Sequence, residues 1–130
     1  MFRRLHQVAV ARFSKEIDPF GITPLQWAAL DTIQRHPGVD QSALSRAIEL
    51  DTSTAAGVIY RLEARQLIER QTSPSDRRLR TLFLTQDGQE LLGRVTPVVM
   101  AIQDWLLQPL TPEERPQFMT LMSKVIHRST

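Results

Sequence analysis

Six arginines crowd the interval from residue 61 to residue 80: Arg61, Arg65, Arg70, Arg77, Arg78 and Arg80, set against only Glu63, Glu69 and Asp76. Across the whole chain Lys15 and Lys124 are the only lysines, so the basic residues are almost entirely arginine. A guanidinium is a planar, permanently charged fork that fits phosphate oxygens and guanine edges better than an ammonium does. A basic run is ordinarily no more than a solvated face. Here the last three arginines follow Ser73-Pro74-Ser75, a turn-forming stretch between two strand-like runs, Leu67 to Thr72 and Leu79 to Leu84. Just upstream lies a helix with a defined start. Asp51 precedes Ala55, Val58, Ile59 and Leu62, the i, i+3, i+4, i+7 spacing of one buried face, and can accept from the first-turn N–H groups. A capped helix followed by a ribbon with a basic tip is a shape suited to reading DNA.

Other chemistries find little support. The chain has no cysteine, which removes disulfides, thiolate zinc sites and thiol redox sensing. His6, His36 and His127 are scattered without metal-ligand spacing, and there is no glycine-rich phosphate loop and no G-x-S-x-G elbow. No catalytic residue, metal or cofactor is expected. With 130 residues and a net charge of +2, one domain is expected, and the location of charge matters more than its sum. Neither a signal peptide nor a membrane-spanning run is recognisable, so the expected location is the cytoplasm.

The elements that must position the basic stretch are mostly helical. Phe2, Leu5, Val8, Ala9, Phe13 and Ile17 form a stripe on a first helix, which Asp18-Pro19-Phe20-Gly21 ends. Thr23-Pro24-Leu25-Gln26 combines an N-cap, a first-turn proline and a capping-box glutamine, and that helix stops near His36-Pro37-Gly38. Asp40 caps a short helix from Gln41 to about Ile48, and the helix after Asp51 completes a helix-turn-helix. An ordinary bundle would require another helix after Arg65, whereas Ile68, Thr72, Thr81, Leu82, Phe83 and Leu84 favour strands. Thr85 caps a long helix from Gln86 that Pro97 should bend, and Pro109 to Glu114 opens the last one. The long helix carries too many apolar positions for one narrow stripe, which predicts two buried surfaces. The fold class is therefore mainly α with a small β-wing.

Asp76-x-Arg78 followed by Leu84-Thr85, together with Leu62-Glu63 and the Thr23-Pro24-Leu25-Gln26 start, resembles the MarR family of bacterial winged-helix regulators over nearly the whole chain. Pro37-Gly38-Val39-Asp40-Gln41 and Leu50-Asp51 look like the branch that responds to aromatic carboxylates. The resemblance implies one domain over residues 1–130, with a winged helix-turn-helix lobe at 23–85 and dimerisation helices at 1–18 and 86–130. It implies a homodimer whose two recognition helices enter successive major grooves of a pseudo-palindromic double-stranded operator, about 34 to 36 Å apart. Thr52, Ser53, Thr54 and Ala56 would then meet phosphates or base edges, and Arg61 and Arg65 would grip phosphate. Arg78, with Arg77 or Arg80, would lie along the minor groove, and Asp76 would orient an arginine.

The same resemblance implies a small aromatic ligand between the dimer helices and the DNA-binding lobe. His6, Phe13 and Trp27 are the candidates, with Arg12 or Arg3 for its carboxylate, although Phe13 and Trp27 also stand at core spacing. The function implied is a ligand-released repressor of a catabolic or efflux operon. An architectural DNA-binding protein without an effector, and a winged-helix dimer that binds protein, are the alternatives. Two residues depart from the family pattern. Gln66 replaces the glycine common after the recognition helix, which leaves either no left-handed residue there or a cost of about 1 kcal/mol. Gly57 occupies a position where relatives often place a polar or basic reader, which predicts sparse base readout by the helix and more specificity from phosphate contacts, shape and the wing.

Overall fold

The computed structural model describes residues 1–128. Six helices and three short strands follow in the order α1 (Phe2–Ile17), a 3-10 turn (Asp18–Phe20), α2 (Pro24–Arg35), β1 (Val39–Asp40), α3 (Gln41–Ala47), α4 (Thr52–Ala64), β2 (Ile68–Thr72), β3 (Arg80–Leu84), α5 (Gln86–Leu107) and α6 (Glu114–Ile126). The mainly helical chain with a small wing is what the periodicity predicts. Among the described residues no helix is long and apolar enough to cross a membrane.

Helix starts are fixed by side chains the sequence marks for the purpose. Thr23 Oγ1 accepts from the Gln26 N–H while Gln26 Oε1 accepts from the Thr23 N–H, each at 3.1 Å. Asp40 caps α3 through the Ala43 N–H at 2.8 Å, and Asp51 caps α4 through the Thr54 N–H at 2.7 Å. Thr111 and Glu114 exchange a second reciprocal pair at the start of α6. Thr85 does more than cap. Its Oγ1 accepts from the Gly88 N–H at 3.0 Å and donates to the Gln66 carbonyl at 2.7 Å, tying the start of α5 to the end of α4.

The sheet departs from expectation in three places. A two-stranded ribbon is predicted, but β1 adds a third strand in the order β1-β3-β2, all antiparallel. Two residues are too few for alternation to reveal a strand. Gly38, at φ +86°, turns the chain after α2 and donates its N–H to the Leu82 carbonyl at 2.9 Å, which delivers Val39 opposite Leu82. Leu67 and Leu79, both expected within strands, lie just outside them. The Leu67 N–H closes α4 on the Leu62 carbonyl and its own carbonyl accepts from Thr85, whereas Leu79 donates to Asp76 within the wing turn. Register in the ribbon runs from Ile68 opposite Leu84 to Thr72 opposite Arg80.

Gln66 adopts the left-handed conformation at φ +60°, so the chain carries the backbone cost there rather than avoiding it. Glu49, between α3 and α4, does the same at φ +57°, which the sequence does not announce. Gly88 has a steric role: a Cβ there would lie 2.0 Å from the Leu67 carbonyl oxygen, so only glycine lets α5 start against the end of α4.

Leu30, Ile33, Leu44, Ile59, Leu62 and Leu82 form the centre of the lobe, and Ile17, Leu92, Val95 and Val99 join it to α1 and α5. Helix α5 runs unbroken through Pro97. Its second apolar surface stays open, with Met100 and Trp105 exposed. On α1 the residues Phe2, Leu5, Val8 and Val10 are exposed too, and no residue of α6 is fully buried.

Candidate nucleic-acid interface

Helix α4 turns Ala55, Val58, Ile59 and Leu62 into the core, and this orientation fixes what the opposite side shows. At about 100° per residue, Ser53, Gly57, Tyr60 and Ala64 lie on the outward line. Thr52 and Ser53 are exposed at the start of the helix. Thr54 is exposed but engaged, since its hydroxyl donates to Asp51 Oδ2 at 3.1 Å. Together with the Thr54 N–H, which has the larger effect, this bond holds the Asp51 carboxyl below its ordinary range. Ala56 is half-buried beside them. Tyr60, absent from the candidates the sequence supplied, is 68% exposed at the middle of the outward line. The signal was available in the wheel, because the tyrosine falls opposite the four core positions.

The arginines divide into free and committed groups. Arg61 is exposed on the flank of α4. Arg65, expected to grip phosphate, is exposed and also donates from Nη1 to the Gly21 carbonyl in the turn between α1 and α2. Its planar fork closes a gap between elements distant in sequence, a contact no local pattern encodes. Arg70, counted in the basic run, lies with Nε 3.3 Å from Glu63 Oε2 across α4 and β2. In the wing, Arg77 and Arg78 in the turn and Arg80 at the start of β3 are all exposed.

Asp76 organises that turn in both of the ways open to it. Oδ1 accepts from the Arg78 backbone N–H at 3.0 Å, a local turn-forming bond, and from Arg78 Nε at 3.2 Å, while Oδ2 lies 3.5 Å from Nη2. These bonds, the backbone N–H first, hold the Asp76 carboxyl below its usual range. The Arg78 side chain remains 91% exposed, so it is oriented from behind and open in front.

The ligand candidates do not converge. Arg12 lies over the Trp105 ring, 4.4 Å from its centroid, with Nε 3.7 Å from Glu16, and lines a cleft with Pro97, Val98 and Ala101. Phe13, one residue on and turned by about 100°, lines a different cleft between α1, α5 and α6 with Leu5, Leu106 and Phe118. Trp27 is half-buried against the core and donates Nε1 to Thr96 Oγ1 at 3.3 Å, while His6 and Arg3 are exposed on α1. Within one copy of the chain, the expected four-residue pocket is therefore divided between two clefts, with Trp27 and His6 lining neither.

Comparison with known proteins matches residues 22–79 to the MarR family. The chain is 32% identical over 125 residues to the transcriptional regulator HosA of Escherichia coli O111:H-, covering 96% of this chain and 91% of HosA. It is similar in structure to BpsR of Bordetella bronchiseptica, whose DNA binding is regulated by 6-hydroxynicotinic acid, with a TM-score of 0.93, 30% identity, and 98% and 91% of the two chains covered. The ligand-bound PcaV regulator of Streptomyces coelicolor gives a TM-score of 0.92 at 29% identity, with 98% and 90% covered.

Proposed function

The chain belongs to the MarR family of transcriptional regulators, and we propose that two copies of it bind a pseudo-palindromic operator as a repressor and release it on binding a small aromatic acid. The observation that carries the DNA half is the wing: a guanidinium fixed from behind by Asp76 and open to solvent in front, next to a helix with an outward polar start. In this reading residues 23–85 contact DNA in the cytoplasm, with Thr52, Ser53 and Arg61 on the groove and its phosphates and Arg77, Arg78 and Arg80 along the minor groove. Arg65 shares its guanidinium with the Gly21 carbonyl and contributes less.

Dimer formation through residues 1–18 and 86–130 is supported by the open apolar faces of α1, α5 and α6. Leu121, Val125 and Ile126 are 58 to 61% exposed in one copy, and a second copy of the same helices is the surface that removes them from water. For the effector, Arg12 is the favoured carboxylate partner, because it lines a cleft between α1 and α5 and its guanidinium lies over the nearby Trp105 ring. A ligand there acts only through unequal affinity for DNA-competent and incompetent dimers, about 1 to 3 kcal/mol of coupling.

The test is selection of bound duplexes from a random pool, followed by titration of the selected operator with benzoates, cinnamates and nicotinates while Trp27 and Trp105 fluorescence is followed. Release of DNA with a change in fluorescence supports the proposal. Salt-sensitive operator binding that no acid relieves would favour the effector-free alternative.

A further inference from the structure

Gly57 has no explanation within its own chain. It lies in the middle of α4 and is not among the glycines with positive φ, which are Gly21 and Gly38. A Cβ built on it meets only Arg61 Nη1 at 3.8 Å, an ordinary contact with the end of a flexible side chain. Gly88 shows the contrast, since a Cβ there would collide with backbone at 2.0 Å. Alanine would fit at position 57 and is the better helix former. The fold alone therefore gives no reason for glycine.

The position shows where the reason lies. Gly57 faces away from Ala55, Val58, Ile59 and Leu62, with the small residues Ser53 and Ala64 one turn before it and two turns after it on the same line. Tyr60 is the one large side chain on that line, 68% exposed. Missing and short side chains set how close a helix backbone comes to a groove floor, and one tall side chain beside them sets where it stops.

We infer that Gly57 is the point of closest approach between α4 and operator DNA, and that Tyr60 beside it is a specificity-determining contact. The phenol hydroxyl donates to a phosphate or a base acceptor, and the ring lies against sugar or a thymine methyl. This rests on the reading of α4 as the helix that enters the groove, and it reverses the expectation that Gly57 makes readout by the helix sparse.

The experiment uses the full chain and the duplex it selects from a random pool. Gly57→Ala should melt at a higher temperature than the parent and bind the operator about tenfold more weakly, the opposite signs expected when a residue serves a partner rather than the fold. Tyr60→Ala should fold normally and lose about tenfold in its preference for operator over random duplex. A lower melting temperature for Gly57→Ala, or undiminished operator affinity, overturns the role of Gly57. Unchanged preference in Tyr60→Ala overturns that of Tyr60. A parent chain that selects no duplex removes the DNA reading itself, an outcome distinct from either.

Discussion

Asp76 holds Arg78 at both backbone and side chain, with Oδ1 3.0 Å from the Arg78 backbone nitrogen and 3.2 Å from its Nε. The two bonds fix the turn and aim the guanidinium at once, so one carboxylate does what would otherwise need a rigid loop and a separate orienting residue. Arg78→Ala should weaken operator binding by about 1 to 3 kcal/mol while leaving the melting temperature unchanged. Asp76→Ala should weaken it in the same direction but less, because the charge of Arg78 persists without its orientation. Fluorescence anisotropy on the selected operator measures both, and equal affinities for parent and Arg78→Ala would remove the wing from the interface.

The caps on α4 and the wing share a sign with pH. Asp51 and Asp76 both have carboxyls lowered from 3.8, so the stability they contribute is fully present above that value and is lost as pH falls through the lower values of the folded protein. Titration followed by carboxyl NMR should show both residues ionised at pH values where an unperturbed aspartate is half protonated. Asp51→Asn, which retains an acceptor, should remove the acid sensitivity at α4 while keeping the helix start.

His127 and Glu49 make the opposite case. Nε2 of His127, at the end of α6, lies 2.7 Å from Glu49 Oε1 in the turn before α4, and Nδ1 faces the Ser123 carbonyl at 3.2 Å. Two acceptors on two nitrogens favour the imidazolium, and the bond to Glu49 raises the His127 pKa above 6.5. The contact is therefore complete below 6.5 and weakens as pH rises through the raised value. In an NMR titration, Glu49→Gln should move His127 back toward its ordinary midpoint; an unmoved midpoint would show that the carboxylate is not the cause.

Gly88 and Gln66 test the junction between α4, β2 and α5 from two sides. Gly88→Ala forces a methyl group into the Leu67 carbonyl and should cost about 1 to 3 kcal/mol or more in urea unfolding. Gln66→Gly relieves the φ of +60° and should gain up to about 1 kcal/mol. A stabilised Gly88→Ala variant would mean that α5 starts elsewhere.

The exposed face of α6 makes assembly measurable. Light scattering at micromolar concentration should give twice the mass of one chain, and Leu121→Glu, which places a charge on a side chain 59% exposed in one copy, should shift the mass toward that of a single chain. A single-chain mass for the parent would exclude the proposed arrangement of two reading helices.

What the sequence made legible was local. Thr23, Asp40, Asp51 and Thr85 each announce a helix through a side chain that reaches only three residues ahead, and Asp76 announces the wing turn across two. What it concealed depends on distance along the chain. Arg65 meets Gly21 across 44 positions, and His127 meets Glu49 across 78. Strand β1 exists only because β3 offers it a partner, and the division of Arg12 from Phe13 follows from how α5 and α6 lie against α1, not from either residue's type. Tyr60 occupies a middle ground: no local motif marks it, but its outward direction follows from the four core residues of its own helix.

Helix α6 supplies no fully buried residue to the chain that makes it. If its covering surface belongs to a second copy, then the cellular abundance of the protein is itself an input. Dilution leaves single copies whose α6 keeps its apolar face in water and whose one reading head cannot span a two-part site, so occupancy falls faster than the protein level does. Such a regulator counts its own copies before it responds to any small molecule.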